Sequence, residues 1–335
     1  MTAGALTPAQ DRSSAADGLR RLMRDRPIVP LIGLLVILVG LLQVILLRQD
    51  QGLLDAEWLG VTLRAAVPLA ILAGCQTLCM LTGGIDLSVG MVASMAAFIV
   101  ATQTPLVGPV PAILLALGAA GLAGLANGIG IGIFKVHPLI MTLGISLVVL
   151  GLMNVYQLMV VQSGTQIPPV ILWLGSETSF GFLPSSLILF IPITALIILG
   201  LRGSGFGRLL FAVGDNPVAA RLSGVRVWQV LLALYIVSAL LAALAGFLIA
   251  GLVKTASLSL VESSVLPSVA AAVIGGTSIM GGRGGYAGTI VGALILTVLA
   301  ALLTILEMPE GVRQILFGSI VVFVAAAYTR VTGES

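Results

Sequence analysis

Residues 81–90 read LTGGIDLSVG and lie between two long apolar segments. They contain one carboxylate, Asp86, with Gly83 and Gly84 before it and Gly90 after it. Because glycine adopts positive φ at little cost, the glycine pair is expected to interrupt a helix. Asp86 or Ser88 is then placed to cap the next helix, where a carboxylate also favours the helix dipole. The stretch therefore predicts a helix break or gate, which we expect at the edge of the membrane.

The composition is that of an integral membrane protein. Of 335 residues, 59% are hydrophobic and 9% are charged, whereas a soluble domain is about 25% charged. Mean hydropathy is +1.17. Apolar runs of about twenty residues recur along the chain, which indicates membrane-spanning helices. The net charge of +3 is attributed to connections that set topology, and no nucleic-acid binding is expected.

The predicted fold is all-α, with about ten transmembrane helices, some of them broken. Eight or nine spans with re-entrant segments remain an alternative. The predicted spans are residues 28–47, 61–80, 87–103, 110–133, 138–160, 185–201, 228–251, 263–279, 286–306 and 312–329. They form one transmembrane domain, 28–330, between polar tails at 1–27 and 331–335. The first apolar run is interpreted as a retained span and not as a signal peptide.

Lysine and arginine indicate the orientation. With the N-terminus in the cytoplasm, twelve of the sixteen basic residues lie on the cytoplasmic side: Arg12, Arg20, Arg21, Arg24, Arg26, Lys135, Arg202, Arg208, Arg221, Arg226, Arg283 and Arg330. The other four are Arg48, Arg64, Lys254 and Arg313. The positive-inside rule therefore places both termini in the cytoplasm.

A short helix is predicted within the cytoplasmic connection 202–227. Residues 211–227 read FAVGDNPVAARLSGVRV. Asn216 suits the N-cap, Pro217 the first helical position, and Gly224 the position that ends a helix. Such a helix either docks a cytoplasmic partner or rests on lipid headgroups; we favour the first.

A second glycine-rich stretch, AAVIGGTSIMGGRGGYAGTIVGALIL, covers residues 271–296. Gly281 and Gly282 permit a tight turn, and Arg283 at its tip indicates the cytoplasmic side. A phosphate-binding nest is the alternative to a simple turn. Residues 68–100 form a pattern: an apolar run with a proline, then a glycine-rich break, then a second apolar run. A weak repeat of this pattern covers residues 267–300.

No nucleotide site of the P-loop type is expected. Such a loop needs glycine before its lysine, but Lys135 and Lys254 follow Phe134 and Val253. Cys75 and Cys79 are interpreted as packing residues, and no metal site is expected. The polar residues at membrane depth are neutral, and they either line a substrate path or join helices by hydrogen bonds. The candidates are Gln76, Asn127, Asn154 and Gln157.

Three stretches carry a resemblance to a known family: LTGGIDLSVG at 81–90, GDNPVAARLSGVRV at 214–227 and IGGTSIMGGRGGYAGTIVGALI at 274–295. In sequence, order and spacing they resemble the inner-membrane permeases of bacterial ATP-binding-cassette (ABC) importers for monosaccharides. That group includes ribose, xylose, arabinose, galactose and autoinducer-2 permeases. The resemblance extends over residues 28–330.

The resemblance implies a multi-pass protein of the bacterial inner membrane and a set of partners. A second permease subunit, either another copy or a paralogue, completes the pore in the lipid bilayer. A cytoplasmic ATPase subunit binds ATP and Mg, so this chain itself needs no cofactor and is not an enzyme. A periplasmic binding protein delivers the sugar and is expected to contact residues 161–184.

The resemblance also assigns residues 217–223 as the helix that couples the permease to the ATPase. Ala219, Ala220 and Gly224 match the A-A-x-x-x-G core of many importer permeases, although Val218 stands where a glutamate is frequent. The predicted coupling residues are Asn216, Pro217, Ala219, Ala220, Arg221, Leu222 and Gly224. A stand-alone secondary carrier or channel for a small neutral solute is the alternative function.

Overall fold

The computed structural model describes residues 28–48, 55–160, 164–179, 181–309 and 311–316, together with 318, 319 and 322. The helices, in chain order, are α1 (Ile28–Arg48), α2 (Ala56–Met80), α3 (Val89–Val107), α4 (Pro109–Gly132), α5 (Pro138–Val160), α6 (Pro169–Ser176), α7 (Ser186–Gly203), α8 (Gly205–Asp215), α9 (Pro217–Leu222), α10 (Val227–Val253), α11 (Val265–Ile274) and α12 (Tyr286–Ile305). Within these ranges the only extended pairing is an isolated bridge between Thr178 and Pro184.

Eight of the described helices are long and apolar enough to cross a membrane: α1, α2, α3, α4, α5, α7, α10 and α12. The prediction of an all-α membrane protein is thereby confirmed. The predicted span at 312–329 and the two tails lie largely or wholly outside the described residues.

The predicted span at 263–279 is wrong. In its place is α11, which has ten residues and a length of about 15 Å. A 3₁₀ turn, Glu262–Ser264, precedes it, and the chain turns at Gly276, where φ is +88°. This helix is too short to cross a bilayer, whose apolar core is about 30 Å thick.

The segment before α11, residues 254–264, returns into the helix bundle. The amide of Val261 donates to Ser94 Oγ of α3 at 3.0 Å, and Val261 is fully buried. A Cβ on Gly90 would overlap the side chain of Val265 at the start of α11. The short helix therefore begins inside the bundle, which corresponds to the re-entrant alternative for this part of the sequence.

Helix α10 is central to the packing and contacts α4, α2 and α3 extensively. Glycines allow these helices to approach closely: a Cβ on Gly124 of α4 would lie 2.5 Å from the carbonyl oxygen of Tyr235. On α10, a Cβ at Gly246 would overlap the backbone of Ala93. Small residues at such crossings stabilise helix pairs in membranes by van der Waals contact.

One end of the bundle carries a marked excess of positive charge. Here lie the start of α1 and the connections 133–137, 204–226 and 275–285. One cavity is lined by residues of 133–137 and 204–226, and a second is lined by Ile28, Phe211 and residues of 275–285. We call this end of the bundle the junction end. Its described basic residues are Lys135, Arg202, Arg208, Arg221, Arg226 and Arg283, and its described acidic surface residue is Asp215. At the opposite end Asp55, Glu57, Glu177 and Glu307 lie together with the basic residues Arg48, Lys254 and Arg313, so no excess of positive charge is found there among the described residues.

Candidate functional site

The three glycine-containing stretches of the sequence meet at the junction end. The amide of Gly282 donates to the carbonyl oxygen of Leu81 at 3.0 Å. Gly214, near the end of α8, lies so close to Leu81 that a Cβ would overlap its carbonyl oxygen. A Cβ on Gly281 would lie 2.8 Å from the oxygen of Gly214 and 3.0 Å from the nitrogen of Gly83. We call residues 81–84, 214–215 and 280–283 the junction.

The break between α2 and α3 depends on its glycines. Helix α2 ends at Met80, and Gly83 has a φ of +76°, which L side chains rarely adopt. A Cβ on Gly84 would lie 2.7 Å from the hydroxyl oxygen of Tyr235 on α10. The backbone of the break therefore lies against α10 where a larger residue would not fit.

Asp86 is buried behind this break and is held by hydroxyl groups. Its Oδ1 accepts hydrogen bonds from the amide of Ser88 at 3.0 Å and from Ser88 Oγ at 2.6 Å. Its Oδ2 accepts from Ser238 Oγ of α10 at 3.0 Å. Ser88 is the N-cap residue of α3, but its side chain makes no capping hydrogen bond. The carboxylate thus orders the start of α3 and fixes it to α10.

Two predicted path residues also hold the break. Gln76 donates through Nε2 to the carbonyl oxygen of Asp86 at 2.8 Å, and the amide of Asp86 donates back to Gln76 Oε1 at 3.2 Å. Asn127 of α4 donates through Nδ2 to Ser88 Oγ at 2.8 Å. On α5, Thr142 Oγ1 accepts from the amide of Leu87 at 3.1 Å. Four helices therefore contribute hydrogen bonds to this segment.

Asp86 lies deeper than the membrane-edge position expected from the sequence. Its partner Ser238 is eleven residues along α10 from Val227, which corresponds to about 16 Å. Asn127, which contacts Ser88, lies five residues before the end of α4 at Gly132. The edge placement is wrong for Asp86 because the chain re-enters the bundle after the junction.

The other two predicted path residues are elsewhere. Asn154 and Gln157 are exposed on α5, and neither joins the hydrogen bonds around Asp86. On the same exposed side lie Leu147, Leu158 and Gly151, where a Cβ would meet nothing within 4 Å.

The short helix predicted at residues 217–223 forms as α9, Pro217–Leu222. Asn216 Oδ1 accepts from the amides of Val218 at 3.0 Å and Ala219 at 2.9 Å. Gly224 has a φ of +86° just beyond the helix. Ala220 is buried, whereas Val218 is 62% and Leu222 85% exposed. Helix α9 is thus capped at both ends and presents two bulky apolar side chains outward, while Arg221 is also exposed.

The glycine-rich stretch before α12 forms a turn. Gly281 and Gly282 have φ values of +93° and +70°, and Gly284 has +143°. The amide of Ser278 donates to the carbonyl oxygen of Arg283 at 2.9 Å, which closes the loop. The Arg283 side chain is exposed at the tip. Among the described residues no group of three His, Cys, Asp or Glu side chains comes together.

Sequence reasoning missed α8 and the partners on α10. Ser238 and Tyr235 are polar residues within a long apolar helix, and this contrast is the signal that could have identified them. Gly214 carries no comparable signal, because its role depends on contact with Leu81, more than 130 residues away.

The comparisons with known proteins agree on one family. A family model described as "branched-chain amino acid transport system / permease component" matches residues 59–325. The galactofuranose transporter permease protein YtfT of Escherichia coli is 37% identical over 265 residues, covering 78% of this chain and 76% of that protein.

Two further relatives are similar over most of their length. The ribose import permease protein RbsC of Bacillus subtilis is 34% identical over 277 residues, which cover 80% of this chain and 83% of that protein. The fructose import permease protein FrcC of Rhizobium meliloti is 31% identical over 265 residues, which cover 77% and 74%. No solved structure matches the chain.

Proposed function

The chain belongs to the permease family described as the branched-chain amino acid transport system permease component, and we propose that it is the pore-forming membrane subunit of an ABC importer for a monosaccharide. Its relatives are named as permeases for galactofuranose, ribose and fructose. Their matches extend over about three quarters or more of both chains. The protein is a multi-pass protein of the bacterial inner membrane.

The observation that carries this proposal is that α9 directly follows α8, whose Gly214 contacts the other parts of the junction. Helix α9 presents Val218 and Leu222, one turn apart, to solvent. A contiguous exposed apolar patch outside a membrane marks an interaction site. Three residues before the start of α9 at Pro217, Gly214 contacts the end of α2 and the turn before α12. An ATPase bound to α9 therefore acts through α8 on both interrupted segments of the membrane domain.

The junction suits a gate because its parts are broken helices. Transporters place their binding sites and moving parts at such discontinuities, where backbone groups are free to interact. Movement of α8 and α9 changes the contact at Leu81, and the break at 81–88 transmits the change to the start of α3. In the structure, the hydrogen bonds of Asp86 with Ser88 and Ser238 hold this segment in one position. Gating requires a second position.

The ATPase and its ATP and Mg belong to a partner chain. No lysine of this sequence follows a glycine, as a P-loop requires. The junction end is assigned to the cytoplasm because its described surface carries six basic residues and one acidic residue. The opposite end, which includes α6 and exposed Trp173, is assigned to the periplasmic binding protein.

The pore is completed by a second permease subunit, either a copy of this chain or a paralogue. Asn154 and Gln157 are polar and exposed on the otherwise apolar α5. Polar side chains in a span face a bundle interior or an aqueous path more readily than lipid. We therefore assign this side of α5 to the solute path between the two subunits.

The docking role of α9 is tested by replacing its most exposed apolar residue. Leu222→Asp introduces a charge where the ATPase covers an apolar side chain, so co-purification of the ATPase is expected to be lost. Leu222→Met keeps the apolar contact and serves as the matched control. Normal ATPase binding by the Leu222→Asp chain, at an unchanged protein level, would refute the docking role.

A further inference from the structure

A cavity at the junction end is lined by three basic residues and lies beside α9. Its volume is about 730 Å³, and its lining includes Lys135, Arg221 and Arg226. Among the described residues that line it there is no carboxylate. Because like charges so placed are unfavourable without a counter-charge, the cavity is suited to an anion.

The walls of this cavity are apolar, unlike those of a site for a free ion. Ile131, Pro138, Leu231 and Trp228 contribute to the lining. Trp228 is 42% exposed, and tryptophan is enriched where a membrane protein meets the headgroup layer. The cavity therefore combines an anion-binding part with a surface for hydrocarbon.

The position of Lys135 is fixed by the backbone. Its φ of +58° is left-handed, which is uncommon for a residue other than glycine. The amide of Val136 donates to the carbonyl oxygen of Gly130 at 3.0 Å and closes the end of α4. The tight connection between α4 and α5 thus fixes the backbone of Lys135 beside the cavity that its side chain lines.

Access is from the side of the bundle that faces lipid. Ile133 is 50% and Phe134 is 73% exposed, directly beside Lys135. Both directly follow the end of α4 at Gly132, and Trp228 in the first turn of α10 lines the same cavity. A lipid in the inner leaflet reaches the cavity from here with its chains along α4 and its headgroup at the basic residues.

We propose that this cavity binds the phosphate-bearing headgroup of an anionic phospholipid from the cytoplasmic leaflet. Basic pockets between membrane helices on that side bind such headgroups. The bound phosphate bridges Lys135 and Arg226 with Arg221 of α9, and so fixes the docking helix relative to α4 and α5. This inference concerns a different ligand from the transported sugar and goes beyond the proposed function.

The test compares lipid retention by the purified full chain in native mass spectrometry. The chain is supplied with equal amounts of phosphatidylglycerol and phosphatidylcholine. Wild type is expected to retain phosphatidylglycerol in preference. In the double variant Lys135→Asn/Arg226→Gln, that preference is expected to fall by about 25-fold, because each basic residue near the surface contributes about fivefold.

Variants are chosen to keep the fold intact. Asparagine tolerates the left-handed backbone at position 135, and the single variant Arg226→Gln alters no residue of that turn. Arg208→Gln is the matched control, because Arg208 is exposed at the same end but does not line the cavity. The Arg208→Gln chain is expected to retain phosphatidylglycerol as wild type does. An unchanged thermal unfolding temperature shows that each variant is folded.

Three results would overturn the proposal. The first is equal retention of the two lipids by wild type. The second is retention of inorganic phosphate as tight as that of phosphatidylglycerol, which would indicate a site for a free anion. The third is an unchanged preference for phosphatidylglycerol in the double variant, which would show that Lys135 and Arg226 do not bind the headgroup.

Discussion

Asp86 is the only acidic residue buried among the described helices, and every hydrogen bond to its carboxylate comes from a neutral group. Its partner Ser88 lies at the start of α3, and its partner Ser238 lies on α10. Structurally, the carboxylate is an acceptor that joins α3 to α10. Two roles in transport are therefore to be distinguished. Transport requires either these hydrogen bonds or the negative charge of Asp86.

Replacement of Asp86 by asparagine distinguishes these roles. Asn keeps one oxygen for the amide and hydroxyl of Ser88, and its amide group can donate to Ser238 Oγ. Asp86→Asn is thus expected to fold and transport nearly as wild type. Asp86→Ala leaves buried groups unpaired, which costs about 1–3 kcal/mol for each group, so its thermal unfolding temperature should fall.

Thermal unfolding in detergent and sugar uptake are measured together on both variants. A well-folded Asp86→Asn chain without transport would contradict the structural role. In that case the negative charge itself would take part in gating.

At the scale of the elements, the path from α9 to the membrane helices passes through α8. Gly214 is the residue of α8 that touches Leu81, and a Cβ there would overlap the Leu81 carbonyl oxygen. Gly205, at the start of the same helix, has only the side chain of Arg208 within reach, at 3.9 Å. Substitution by alanine at Gly214 therefore tests the contact with Leu81, and the same substitution at Gly205 in the same helix serves as its control.

Gly214→Ala is expected to displace α8 from the end of α2 and weaken coupling. A coupling loss of about 1–3 kcal/mol corresponds to about 5- to 150-fold, and we expect ATP-driven uptake to fall within that range. Binding of the ATPase to α9 should be unchanged. Gly205→Ala should behave as wild type; equal uptake by the two variants would show that the contact at Leu81 does not couple.

The elements differ in how far the sequence predicts them. Helix α9 was predicted nearly to its ends, because Asn216, Pro217 and Gly224 are local signals that act within one or two turns. The short α11 was not, because the apolar run at 263–279 has the composition of a span. What shortens it is the return of residues 254–264 into the bundle, a contact with Ser94 far away in the sequence.

The same distinction applies to the candidate site. That Gly83, Gly84 and Asp86 mark a break follows from residue type alone. Tertiary packing, in contrast, brings the break against Gly214 and Gly281. It also brings Ser238 to Asp86. A polar residue in an apolar helix marks Ser238 as unusual, but a single sequence does not show which residue it contacts.

At the scale of the whole molecule, the orientation in the membrane is open to direct measurement. Cys75 and Cys79 are buried, so single exposed cysteines can be labelled with low background. Ser223 follows α9 at the junction end, and Glu57 lies in the first turn of α2 at the opposite end; both are exposed.

A membrane-impermeant maleimide applied to intact spheroplasts should label Glu57→Cys and spare Ser223→Cys. Permeabilised membranes should allow both to react, because the junction end faces the cytoplasm in our account. The reverse pattern would invert the topology and remove α9 from reach of any cytoplasmic ATPase.

The central claim is that this chain moves a sugar only as part of an ATP-driven assembly. It is tested most directly by uptake of a labelled monosaccharide into proteoliposomes that contain the chain with its ATPase and binding protein. We predict uptake that requires ATP, the ATPase and the binding protein together, and that Leu222→Asp abolishes. Equal uptake by the chain alone without ATP would contradict the account and identify a stand-alone carrier or channel.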